Sequence, residues 1–251
     1  MSELKIIGLK HIGEVNPGDN LAEIILQALT LQSLTFEPGD ILVVIQKIVS
    51  KSEGQLIKLS DVVPSEFALH LSKESGKDPR HIEVVLREAK RIVKMDRGIM
   101  IVETKHGFVC ANAGVDHSNI PGGDVLCLLP EDADLSASRI RDEIRRRTGI
   151  DLAVIISDTF GRPWRAGIVN IAIGVSGLLP IRSYAGQEDP SGYTLTRASD
   201  IAVADELASA AELVMGKIDR IPAAIIRGYA YPKGEGSFKD LVREPEKDLF
   251  R

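Results

Sequence analysis

Two oxygen-rich runs could do chemistry in this sequence. The first is Ser157-Asp158-Thr159-Phe160-Gly161-Arg162-Pro163-Trp164-Arg165, which directly follows the apolar run Leu152 to Ile156. That apolar run reads as a buried strand, so Asp158 and Thr159 are expected where a strand ends and a loop begins, a common place for ligand-binding groups in α/β proteins. A carboxylate and a hydroxyl can hold a divalent cation, arginines can hold phosphate or carboxylate, and Gly and Pro shape the turn. The competing reading is a polar turn in which the only tryptophan of the chain anchors the core. The second run is Asn112-Ala113-Gly114-Val115-Asp116-His117-Ser118-Asn119, followed by Pro121-Gly122-Gly123-Asp124, again after a strand-like stretch, Gly107 to Cys110. Taken alone, such residues often form only a turn, because they tolerate left-handed backbone. Two such loops, each with one aspartate after a strand, suit a Mg²⁺ or Mn²⁺ site that holds a nucleotide phosphate. Magnesium takes one or two protein carboxylates and completes its octahedron with water and phosphate.

The elements that must position these runs are legible in part. Asn20 with Glu23 three residues later starts a helix in the manner of a capping box, and Leu21, Ile24, Ile25, Ala28 and Leu29 fall on one face. Pro38-Gly39-Asp40 is a turn before a buried strand, Ile41 to Ile45. Asp78-Pro79 opens another helix, with Ile82, Val85, Leu86 and Ala89 as its apolar stripe. Strands are expected over Ile99 to Val102, Phe108 to Cys110, Val125 to Leu129, Ile168 to Val175 and Ala223 to Arg227. A helix from Ser136 to Thr148 ends at Gly149. Asp200 is expected to cap an alanine-rich helix that stops at Gly216, and the tail from Tyr231 reads as polar. Strands and helices mix without regular alternation, so the fold class is α+β, with mixed, largely antiparallel sheets and packed helices.

A chain of 251 residues can bury a substantial core as one large or two small units. A net charge of −5 argues against broad nucleic-acid or acidic-membrane binding. Arg139, Arg141, Arg145, Arg146 and Arg147 cluster on one helix, but Asp142 and Glu143 interrupt them, and a solvated face is expected. Cys110 and Cys127 lie in apolar runs without metal-ligand spacing, as buried free thiols would. No signal peptide or membrane-length apolar segment is visible, and the expected location is the cytoplasm.

The sequence holds no GxxxxGK[ST], no GxGxxG and no HExxH. A nucleotide would need another cradle. Gln46-Lys47 and Ser50-Lys51, at the end of the Ile41 strand, could place positive charge on phosphate oxygens, and the competing reading is a solvated loop. The residues alone leave open a metal-dependent phosphohydrolase whose aspartates activate water and a non-catalytic nucleotide-binding module.

GVDHSN, SDTFGRPWR, QKIVSKSEG and ELVMGKIDRIPAAIIRG together resemble the coenzyme F420-0:γ-glutamyl ligase family, in family order over nearly the whole chain. The resemblance implies a GTP-dependent ligase that adds L-glutamate to the lactyl-phosphate carboxylate of coenzyme F420-0 through an acyl phosphate. It implies Mg²⁺ or Mn²⁺, two per site, with K⁺ as a further cation, and a homodimer of units with two subdomains. By resemblance, Asp116 and Asp158 hold metal with Thr159 beside them. Leu9, Lys10, His11 and Ile12 form a first nucleotide contact, Gln46 and Lys47 a second and Lys51 a third. Asn119 is a further contact, and Val214, Met215, Gly216, Lys217, Ile218, Asp219, Arg220 and Ile221 form another nucleotide-facing loop. Lys217, charged, suits phosphate better than metal. Arg162 and Arg165 would act catalytically by holding the phosphodiester, the lactyl carboxylate or glutamate. His117 is adjacent to Asp116, but no residue is nominated as the base for the glutamate amine.

Overall fold

Apolar runs without alternation demand burial on both faces, and the centre of this protein is built from them. The computed structural model describes residues 3–116, 124–196 and 199–248. In chain order the elements are β1 (Lys5–Gly8), α1 (Leu21–Leu31), β2 (Ile41–Ile45), α2 (Gln46–Ser52), β3 (Leu56–Lys58), α3 (Glu66–Ser75), α4 (Pro79–Glu88), β4 (Ala89–Asp96), β5 (Ile99–Thr104), β6 (Val109–Ala111), β7 (Val125–Cys127), α5 (Ala133–Thr148), β8 (Ala153–Arg162), β9 (Arg165–Ser176), α6 (Val203–Met215) and β10 (Ala223–Arg227). The class is α+β. The central sheet has the order β1-β10-β2-β8-β9, and β2–β8 is its one parallel pair among the described residues.

Alternation along the central strands sorts their side chains between two cores. Leu42, Val44, Val154, Ile156, Ala223 and Ile225 face α1 and α5, whereas Ile41, Val43, Ala153, Ile155, Ala224 and Ile226 face α6. Gly174 on β9 lets the start of α5 lie close, because a Cβ there would fall 2.4 Å from the Ala133 carbonyl oxygen. A third core joins α3 and α4 to β5 and to the β3–β7 pair through Ala68, Ile82, Val85, Val102 and Leu126.

The local signals hold where a capping side chain or a left-handed glycine closes a helix end. The Asn20 side chain accepts from the Glu23 N–H, Asp78 caps α4 with Pro79 in its first turn, and Gly149 ends α5 in the left-handed region. The strand reading of Ile41 to Ile45 and of Ala223 to Arg227 also holds. Asp200 is not a cap: α6 starts after Ala202, and Asp200 instead accepts from the Ser183 hydroxyl. Gln46 to Ser52 is a helix entered directly from β2, not a loop. The largest correction concerns the first run. β8 continues through Asp158 and Thr159 to Arg162, because β9 pairs with it from Val154 to Arg162, and the turn falls at Pro163-Trp164. Trp164 sits in that turn at φ 57°, 79% exposed, so it anchors no core.

Candidate functional site

The site opens where two parallel strands part. The β2–β8 register ends at Ile45 opposite Ser157. One residue later β2 has become α2, while β8 runs on with β9 as its partner. Asp158 and Thr159 are therefore the first residues of β8 past the end of β2. The geometry reproduces the crevice beyond the carboxyl ends of strands in open α/β sheets, although the sheet is mostly antiparallel.

Alternation sends the two side chains to opposite faces of β8. Asp158 continues the face of Val154 and Ile156, and Thr159 lies on the face of its cross-strand partner Asn170. On the Asp158 side stand Lys47, from the first turn of α2, and Asp116, whose backbone exchanges two hydrogen bonds with Cys127 at the end of β7. Lys47 Nζ lies 2.7 Å from Asp116 Oδ2. Gln46 draws these elements together, since its amide nitrogen donates to the Leu128 carbonyl at 2.7 Å and to Ser50 Oγ at 2.6 Å. Its side-chain donors thus hold α2 to the strand that carries the Asp116 bridge. On the Thr159 side stands Lys217, just after α6. Its Nζ donates to Thr159 Oγ1 at 2.5 Å, and Thr159 Oγ1 donates to Asn170 Oδ1 at 2.7 Å. Gly216 at φ 59° makes the turn that carries the chain from α6 to Lys217, where any Cβ would also collide with the Asp219 carboxylate.

Electrostatics mark the same spot. Asp158 is packed into the cleft while keeping a partly open surface. Burial pushes its carboxyl up to about 6, and the Asp116 charge adds to the rise. The Thr159 N–H and the Lys47 and Lys217 ammoniums pull the other way. Burial, with the Asp158 charge next, pushes the Cys110 thiol up to about 12, and burial also raises Cys127, so both are protonated buried thiols. Two carboxylates that burden one another, one of them paired with the Lys47 ammonium, are a donor set that fits a divalent cation. Thr159 supplies a neutral oxygen on the opposite face of the same strand.

The structure thus brings Asp116, Asp158, Thr159, Lys47 and Lys217 together. Lys51, one turn along α2 from Lys47, is buried to 7% exposure and pairs with Glu14. Leu9 and Ile12 are buried, and Lys10 and His11 between them are exposed, His11 at φ 64°. Met215 is buried at the end of α6, whereas Ile218 is 88% exposed in the loop that follows. Arg162 and Arg165 are paired across the hairpin end, away from the aspartates along β8. Arg162 Nη2 donates to the Ala166 carbonyl at 2.6 Å and so shapes the turn, whereas Arg165 is exposed. His117 and Asn119 lie outside the described residues. Sequence reasoning missed Asn170, Glu14 and Glu212, whose Oε1 lies 3.9 Å from Lys217 Nζ. Asn170 could have been found only from the hairpin register, which sets it opposite Thr159.

Residues 10–228 match the family described as F420-0:Gamma-glutamyl ligase. A coenzyme F420:L-glutamate ligase of Methanocaldococcus jannaschii is 48% identical over 99% of this chain and 97% of its own length. Proteins of the same name from Methanothermobacter thermautotrophicus and Methanopyrus kandleri are 44% and 45% identical, over 99% and 95% of this chain and 99% and 94% of their own lengths.

Proposed function

This chain belongs to the F420-0:gamma-glutamyl ligase family, and we propose that it joins L-glutamate to the lactyl-phosphate carboxylate of coenzyme F420-0, with GTP and a divalent cation. The observation that carries this reading is the convergence of Asp116, Asp158, Lys47 and Lys217 at the end of the β2–β8 pair. A cleft with that charge pattern suits a polyphosphate and its metal.

The chemistry follows from the inertness of a carboxylate toward amines. An oxygen of the acceptor carboxylate takes the γ-phosphoryl group of GTP, and GDP leaves. The α-amine of glutamate then attacks the acyl carbon, the amide forms, and phosphate departs with the bond pair. A bound Mg²⁺ or Mn²⁺, two per site and held by Asp116, Asp158 and Thr159, would supply the positive charge that neutralises the phosphate oxygens. Lys47 and Lys217 add ammoniums on the two faces of β8. Burial around Asp158 lowers the local dielectric, so each of these charges acts more strongly than it would in water. Lys51, the backbone of Leu9 to Ile12 and the segment from Val214 to Ile221 hold the nucleotide. Arg165, exposed at the hairpin end, takes the anionic acceptor. The same reading carries K⁺ as an accessory cation, a homodimer as the working unit and a cytoplasmic setting in which the two thiols stay reduced.

Release of GDP and phosphate tests the reaction class. Release that requires both glutamate and F420-0 is expected. Release without either acceptor would make the protein a phosphohydrolase.

A further inference from the structure

Lys51 is a cation that the fold cannot release, and it is paired with an anion that the fold can. Lys51 lies on α2 one turn after Lys47, and residues four apart on a helix share a face. Burial raises the Cys127 thiol, and the Lys47 and Lys51 ammoniums both oppose that rise, so both stand on the Cys127 side of α2. Lys47 meets Asp116 there, and Lys51 meets Glu14. The Lys51 side chain is 8% exposed, whereas that of Glu14 is 57% exposed. Withdrawing the lysine would require α2 to move. The carboxylate already reaches water, and the backbone that carries it is held on both sides. Ile12 and Val15 are buried, and the Gly18 N–H donates to the Ser52 carbonyl at 2.8 Å, which ties the segment to the end of α2. Rotation of the Glu14 side chain is therefore enough to part the pair.

We propose that Glu14 is an internal competitor for the nucleotide: its carboxylate holds the place on the Lys51 ammonium that a phosphate oxygen takes, and the phosphate displaces it. The inference rests on the proposed use of Lys51 for the nucleotide and adds a control of that same site. An ammonium left buried without an anion is strongly destabilising, so Lys51 needs a partner whether or not a nucleotide is bound. An exposed carboxylate is the partner that leaves most easily, because water takes over its hydrogen bonds as it goes. A polyphosphate brings the more concentrated negative charge and so wins the exchange. Glu14 thus sets a threshold that the incoming nucleotide has to overcome.

Calorimetric titration with GTP, and separately with inorganic tripolyphosphate, both in Mg²⁺, tests the proposal. Glu14→Gln keeps an oxygen that accepts from Lys51, so the ammonium is not stranded, but a neutral amide competes poorly with phosphate. The variant is expected to bind both anions roughly fivefold more tightly than wild type, as for an ion pair at the strong end of the exposed range. Lys51→Met is expected to abolish that gain: Glu14→Gln added to Lys51→Met should bind no more tightly than Lys51→Met alone. Unchanged or weaker binding of both anions in Glu14→Gln would overturn the proposal. So would a gain that persists without Lys51, which would be general charge repulsion. Melting temperature gives a second reading. Glu14→Gln should melt below wild type without anion and level with it at saturating tripolyphosphate, since the pair is already broken in the bound state. A gap that persists at saturation would make Glu14 a fixed anchor and contradict the proposal. The expected gain for tripolyphosphate in a protein that does not bind GTP would instead count against the proposed nucleotide and leave the role of Glu14 standing.

Discussion

At the scale of single residues the site is a compromise between burial and charge. Asp158 sits at about 6, above its ordinary value of 3.8, because burial penalises its charge and Asp116 repels it. Between those two values the metal-free folded state keeps a proton that the unfolded chain has lost. Stability therefore falls as pH rises through that window, and the deficit persists at neutral pH. Asp158→Asn cannot ionise, so in chelator at pH 7.5 its melting temperature should exceed that of wild type, while below about pH 4 the two should agree. The same substitution, and Asp116→Asn, should each lower ligation by roughly 10²-fold or more, as when a charge that stabilises phosphoryl transfer is removed. A melting temperature below wild type at pH 7.5, or near-normal turnover at saturating metal, would contradict this account of Asp158. Lys51 is testable in the same way. Its exchange for alanine should weaken GTP binding by roughly 1.5–3 kcal/mol, the range for hydrogen bonds to charged groups, as calorimetry reads it.

At the scale of elements, two devices make the cleft: the abrupt passage from β2 into α2, and the long β8–β9 hairpin. The hairpin also divides the two arginines that the sequence had left equivalent. Arg162 binds the Ala166 carbonyl and shapes the turn, whereas Arg165 reaches solvent. Arg165→Lys keeps the charge but loses the planar fork, so the acceptor KM should rise with little change in melting temperature or GTP affinity. Steady-state kinetics with an unchanged acceptor KM would remove Arg165 from the site. These elements also explain what could be read in advance. Asn20, Asp78 and Gly149 mark helix ends by local chemistry, and the sequence shows it. α2 has no such mark, because Ile45 precedes it with no side-chain cap. The charged β4, Lys90-Arg91-Ile92-Val93-Lys94, lies at the edge of its sheet, mostly exposed, and so lacks the alternation that announces a strand. The true end of β8 depends on β9, a non-local partner, and for that reason Asp158 and Thr159 were expected where the strand ends and a loop begins. The residues of the site were legible as residue types at two runs. Their distribution over two faces of one strand, and the place of Asn170 beside Thr159, follow from register, which only pairing defines.

At the scale of the whole molecule, the C-terminal segment closes the core behind the site. Its composition suggests a polar tail, yet Phe238 is 4% exposed and packs 4.9 Å from Phe108, which meets Phe160 edge to face at 5.9 Å. Asp134 at the start of α5 fastens the segment by accepting from Ser237 Oγ at 2.6 Å and from the Phe238 N–H at 3.2 Å. Phe160 follows Thr159 directly on β8, so the tail braces the strand that carries the site. Phe238→Ala should cost roughly 3–5 kcal/mol in urea unfolding, the usual range for a buried phenylalanine. A loss below about 1 kcal/mol would show the tail to be a surface appendage. Among the described residues no helix is long and apolar enough to cross a membrane. The most direct measurement is mass spectrometry of coenzyme F420-0 incubated with this protein, GTP, L-glutamate and Mg²⁺ or Mn²⁺. The expected result is an acceptor heavier by one or more glutamyl residues, formed only when GTP and the divalent cation are both present and lost in Asp158→Asn. An unmodified acceptor under conditions in which the protein consumes GTP, or glutamylation that proceeds unchanged in chelator, would contradict the account.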